Sequence, residues 1–243
     1  MPSAQEHQTQ IHKMTDKQNT ISLVEEGNFA LLSMQGEGLF NPISLEAFNV
    51  ALDQVEKNEQ YQALLITGEG NNFSQGLDLK FLMTLEPADS LQFVENTMVM
   101  IGRLLSFPIP VVSLINGHAF GLGAMLALGS DYRVMRSDRG YICLPEVDLA
   151  MSFIPSMNAL VTNTISGKLR RDMMLTGKRV TGEEAYATDL VDACGDVEQL
   201  LGLAQDVVAP ALGKDRLTLG RIKQDLNAPI LSVVKAGAGQ RKS

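Results

Sequence analysis

Asn116-Gly117-His118-Ala119-Phe120-Gly121-Leu122-Gly123 runs straight into Ala124-Met125-Leu126-Ala127-Leu128, and this handover decides the fold. The second stretch is apolar on every side, which suits a helix buried in a core. Gly121 and Gly123 flank Leu122 where that helix starts. A backbone N–H at such a point lies along the positive end of the helix dipole and favours negative charge. Just upstream, Pro108-Ile109-Pro110 stops a helix read over 91–105, and a strand follows over 111–115. Strand, glycine turn and buried helix therefore follow one another, the signature of an α/β core.

The same alternation extends outward. Ile21 to Glu25 and Phe29 to Met34 read as two strands joined by the turn Glu26-Gly27-Asn28. Asn41-Pro42-Ile43-Ser44 opens a helix, with Ser44 as the expected N-cap and Ala47, Phe48, Ala51, Leu52 and Val55 on one face. Ala63 to Thr67 is a strand ended by the loop Gly68-Glu69-Gly70-Asn71-Asn72, and Asp131 to Met135 is another. From Ser156 onward helices dominate: 156–166, 169–175, 182–187, 197–209 and much of 214–234. This places a polar, disordered tail at 1–19, an α/β core at 20–165 and a helical region at 166–243.

Composition narrows the class. A chain of 243 residues can bury roughly 70% of its unfolded surface. A net charge of -8 argues against a nucleic-acid surface. No apolar stretch approaches the roughly 20 residues of a membrane span. Cys143 and Cys194 read as reduced, buried thiols, and the polar start carries no secretory signal, so the expected location is cytoplasmic.

Several chemistries are excluded by pattern. Phe73 and Leu126 stand where a dinucleotide fingerprint needs its third glycine. His7, His12 and His118 are too scattered to ligate a metal, and His118 reads as a turn-flanking side chain. No metal and no separate cofactor is expected. What remains is a pairing of loops: Gly76-Leu77-Asp78 offers a second backbone amide at the head of a helix, beside that of Leu122. Two amides converging on one oxygen form an oxyanion hole, typically worth about 3–4 kcal/mol per donor. Taken singly, each glycine is explained by a tight turn.

The ordered set is more telling than its parts. Phe73-x-x-Gly76-x-Asp78, then Asn116-Gly117-x-x-x-Gly121-x-Gly123, then Pro145-Glu146 resembles the crotonase (enoyl-CoA hydratase/isomerase) superfamily. Leu175-Thr176-Gly177-Lys178-Arg179-Val180, Glu183-Glu184-Ala185 and Leu190-Val191-Asp192 continue the likeness, which covers about residues 20–196. The resemblance implies a spiral of ββα turns with a helical C-terminal trimerisation region, assembled as a homotrimer or dimer of trimers. It implies an enzyme of fatty acid metabolism acting on an acyl-CoA thioester, whose carbonyl is held by the amides of Leu77 and Leu122. Coenzyme A would be part of the substrate. Gly76, Asp78, Lys80, Gly121, Gly123 and Met125 become substrate-binding positions, Lys80 as a phosphate contact.

Within that family, hydratases share the addition of water between two glutamates. The first falls at Met125, whose thioether transfers no proton; the second matches Glu146. Dienoyl-CoA isomerases place a further aspartate where Ile154 stands, and Asp148 is only a distant substitute. The chain therefore looks most like the Δ3,Δ2-enoyl-CoA isomerases, in which one acid carries a proton between C2 and C4. Met125, Leu126, Cys143, Leu144, Phe153 and Ile154 would surround it with apolar groups that lift its pKa. The alternatives are an enoyl-CoA hydratase or other lyase, and a non-catalytic acyl-CoA binder in which Leu77 and Leu122 crowd the thioester.

Overall fold

Strands that read as near-continuous apolar runs pair most readily inside a parallel sheet covered on both faces. Such a strand, β7 (Val111–Ile115), is entirely buried at the middle of this protein. A computed structural model describes residues 20–239; the 1–19 segment read as a disordered tail lies outside the described residues. Around β7 a six-stranded sheet runs in the order β1-β2-β4-β7-β9-β11. The other members are β1 (Ile21–Glu26), β2 (Phe29–Met34), β4 (Ala63–Gly68), β9 (Tyr132–Arg136) and β11 (Ala193–Gly195). Within this sheet, among the described residues, only the β1–β2 pairing is antiparallel, and Gly27 at φ 59° makes its turn.

A second, parallel sheet carries β10 (Ile142–Cys143), β8 (His118–Phe120) and β5 (Asn72–Ser74), and β3 (Leu39–Phe40) pairs with β6 (Gly76–Leu77). Each turn of the chain thus lays a strand or a hairpin in the main sheet and one or two short strands outside it, then adds a helix. These helices are α1 (Pro42–Lys57), the single turn α2 (Leu79–Leu82), α3 (Pro87–Leu105), α4 (Leu122–Leu128) and α5 (Pro155–Thr164). The architecture is mixed α/β, a ββα spiral followed by α6 (Gly167–Thr176), α7 (Gly182–Ala187), α8 (Leu200–Val208), α9 (Arg216–Leu226) and α10 (Ala228–Gly239).

One local reading is corrected. Asn41, not Ser44, caps α1: its side chain accepts from the amides of Ile43 and Ser44, and the Ser44 hydroxyl accepts from Asn41 N. A capping box puts the hydroxyl at N3, where it serves the cap residue instead of being it. His118 opens β8 directly after the bend at Gly117, and its ring contacts those of Phe120 and Tyr141. Of the two thiols, Cys143 is buried and Cys194 only half-buried; both are free.

Main-sheet packing sorts the core into two parts. On one face Leu65, Val112, Leu114 and Val134 meet Leu200, Ala204 and Val208 of α8. On the other, the interior side chains of α1, α3, α4 and α5 form the large cluster that also contains Met125.

Candidate active site

The site grows out of the junction between the two sheets. Asn116, at the end of β7, is buried and fully engaged. Its Oδ1 accepts from Gly68 N at 3.0 Å, and its Nδ2 donates to the carbonyls of Gly70 and Asn72. The loop 68–72 is thereby pinned, and β5 starts at a defined height. Ser74, at the end of β5, donates to Gly38 O at 2.6 Å and accepts from Gly76 N at 3.1 Å. That serine orients the segment which follows, and sequence reasoning missed it; a serine two residues before a glycine carries no distinctive signal.

Gly76 has φ 84°, a region open to glycine, and its missing side chain matters as much. A Cβ there would stand 2.6 Å from Phe120 O and 2.9 Å from Leu122 N. The start of α4 therefore presses directly against β6. Gly123 is likewise pressed against Ser74, whose Cβ would be 2.8 Å from an added methyl. These two close approaches bring Leu77 and Leu122 together. Asp78 N donates to Phe40 O, so by strand alternation the Leu77 N–H points away from β3, toward an edge with no further strand. Leu122 is the first residue of α4 and its N–H is one of the donors a helix leaves unpaired.

Glu146 arrives from the other side. Gly121 N donates to Cys143 O at 3.0 Å, which holds β10 against the α4 start. The chain then turns through 145–151, closed by Met151 N donating to Glu146 O at 2.9 Å, with Ala150 at φ 54°. Gly121 itself, at φ 52° and ψ -117°, faces the carboxylate: a Cβ on it would be 3.7 Å from Glu146 Oε1. Glu146 is only 7% exposed, and among the described residues its Oε2 has no hydrogen-bond partner. Burial pushes its pKa up from 4.5 to about 7, opposed only by a hydrogen bond from its own backbone. A carboxyl held near neutrality can give and take a proton at ordinary pH.

Leu77, Gly121, Leu122 and Glu146 share one cavity of about 340 Å³. Its remaining wall is mostly apolar: Leu79, Leu91, Val94, Leu149, Met151, Ile154 and Met157, with Pro87 and Ser90 from the first turn of α3. The α3 contributors repeat at helical spacing. Those on 149–157 follow an irregular turn, so no periodicity announces them. Of the apolar groups expected around Glu146, Ile154 lines this cavity; Met125, Leu126, Cys143 and Leu144 are core residues and Phe153 packs against the core.

The other candidate positions lie outside the lining. Gly76 and Gly123 form the backing just described. Met125 has no exposed surface. Asp78 caps α2, accepting from Phe81 N, and borders a smaller hollow behind β3. Lys80 is exposed on α2. Asp148 is exposed and packs against Gly177.

Comparison with known proteins places the chain in a family. The model of the family described as enoyl-CoA hydratase/isomerase matches residues 38–242. Enoyl-CoA delta isomerase 2, peroxisomal, of Arabidopsis thaliana is 35% identical over 181 residues, covering 71% of this chain and 75% of the relative. Enoyl-CoA delta isomerase 3 of the same plant is 33% identical, covering 77% and 84%. Among solved structures, the probable enoyl-CoA hydratase EchA3 of Mycobacterium tuberculosis superposes with a TM-score of 0.83 at 26% identity, covering 90% and 93%. With its ββα spiral and a family match over residues 38–242, the chain belongs to the enoyl-CoA hydratase/isomerase family.

Proposed function

We propose that the protein is a Δ3,Δ2-enoyl-CoA isomerase with Glu146 as its single base. The observation that carries this reading is a buried carboxyl, shifted to about 7, whose Oε2 has no hydrogen-bond partner among the described residues, in an apolar cavity that the Leu77 and Leu122 segments also line. The Glu146 carboxylate removes a proton from C2 of a 3-enoyl-CoA. The electron pair flows into the thioester, giving a dienolate whose oxygen accepts from the amides of Leu77 and Leu122. The electrons then return through C2–C3 and the same carboxyl delivers its proton to C4. One proton has moved, the double bond lies between C2 and C3, and no water or cofactor has entered. Coenzyme A arrives as part of the substrate. Hydration requires a second group to manage the water's proton, and Met125, a thioether sealed in the core, supplies none.

The test follows conjugation by ultraviolet absorbance while mass spectrometry checks that mass is unchanged. Wild-type protein should convert 3-enoyl-CoAs to 2-enoyl-CoAs. Glu146→Gln should lose turnover by about a thousandfold or more while still binding acyl-CoA. Near-normal turnover in that variant would sink the assignment, and loss of absorbance from a 2-enoyl-CoA would reveal a hydratase.

A further inference from the structure

Glu95 is the buried carboxylate that this chemistry leaves unused. It stands on α3, 9% exposed, and among the described residues no lysine, arginine or histidine pairs with it. Its Oε2 accepts from the Ser156 hydroxyl at 3.1 Å. Ser156 follows Pro155 in the first turn of α5, so the carboxylate also sits at the positive end of that helix. Across from it the backbone of α10 comes so close at Gly237 that an added Cβ would lie 2.5 Å from Oε2, 2.7 Å from Cδ and 2.8 Å from Oε1. One carboxyl group thus stands where three helices meet, carried by α3, bonded to α5 and overlaid by α10.

Two of those helices wall the cavity. Val94 and Met157, the immediate neighbours of Glu95 and Ser156 in sequence, line it, and so does Ile154 at the N-cap of α5. α10 packs along both helices, with Val234 and Leu231 over Gly102 of α3. We propose that the Glu95–Ser156 hydrogen bond, closed over by Gly237, positions this wall and sets how tightly the cavity grips an acyl chain. Glu95, Ser156 and Gly237 are positioning residues: they reach the substrate through Val94, Ile154 and Met157. The inference rests on the acyl-CoA isomerase reading for the identity of the ligand.

The wall's grip is read from chain length. An apolar wall in contact with each added methylene raises kcat/KM about fourfold per carbon. In Ser156→Ala and in Gly237→Ala, whose methyl displaces the carboxyl, that increment should fall to about twofold or less. Turnover of the C4 substrate should stay within about twofold of wild type, because the thioester site is untouched. Glu95→Gln keeps an acceptor for Ser156 and should restore the wild-type increment. Variants whose lines run parallel to wild type, with all lengths reduced alike or none, would overturn the proposal. Calorimetric Kd values for butyryl-, hexanoyl-, octanoyl- and decanoyl-CoA give the same slope without any chemistry. If wild type turns over no 3-enoyl-CoA, the isomerase reading fails on its own, and an unchanged calorimetric slope in Ser156→Ala would then reject the positioning role separately.

Discussion

At the level of single residues, the proposed base Glu146 would trade stability for reactivity. A base must be ionised to work, so kcat/KM should fall tenfold per pH unit below an acid limb near pH 7, where burial has placed this carboxyl. A profile flat down to pH 5 would show that another group carries the proton. The same shift has a cost. Between about 4.5 and about 7 the folded protein holds a proton that the unfolded chain has released, so stability falls as pH rises through that window. Glu146→Gln is neutral throughout and escapes the penalty. At pH 8 it should be more stable than wild type by on the order of 2–3 kcal/mol, a gap that closes by pH 4.5. Urea denaturation at the two pH values measures it directly.

The elements matter through their points of closest approach. Gly76→Ala would place a methyl against Phe120 O and Leu122 N and force φ 84° on an L-residue. Its expected cost is about 1–3 kcal/mol of stability, with a disproportionate loss of kcat as β6 and α4 are pushed apart. Thermal melts set beside steady-state kinetics would show both, and a variant with full kcat would refute the pairing of the two amides. How much of this could be read in the chain depended on element length. β2, β4, β7, α1 and α3 carry enough apolar periodicity to be seen locally, and α4 announces itself by being apolar all round. β3, β5, β6, β8 and β11 are two or three residues long, and partners far away in sequence create them. The Gly76, Leu77, Gly121 and Leu122 positions were visible because glycines mark backbone that must turn or touch. Leu91, Val94, Leu149, Met151 and Met157 were not, because a leucine or methionine facing a cavity has the same chemistry as one facing a core. Similarly, the helical run over 214–234 hides the break at Asn227, whose side chain donates to Leu105 O and Lys223 O.

For the whole molecule, the helical C-terminal region faces two ways. α10 braces the cavity walls of its own chain, while α9 leaves Leu217, Ile222 and Leu226 open to solvent, Leu226 at 75%. The trimer expected from the family resemblance would cover such a face. Light scattering should then report about a threefold smaller mass for Leu226→Glu, and an unchanged oligomer would place the contact elsewhere. The cavity itself has a thermodynamic consequence. Its apolar lining lacks, on one side, the atoms that elsewhere in the core fill space, so an acyl chain completes the packing as well as serving as a reactant. A saturated acyl-CoA at about a hundred times its Kd should add about 2.7 kcal/mol to the folded state and raise Tm accordingly. No such rise in a thermal shift assay would mean that the acyl group does not enter. Where the rise is found, metabolite supply acts on this protein as a chaperone does: when acyl-CoA runs low, less of the chain stays folded, and the amount of enzyme follows the amount of work.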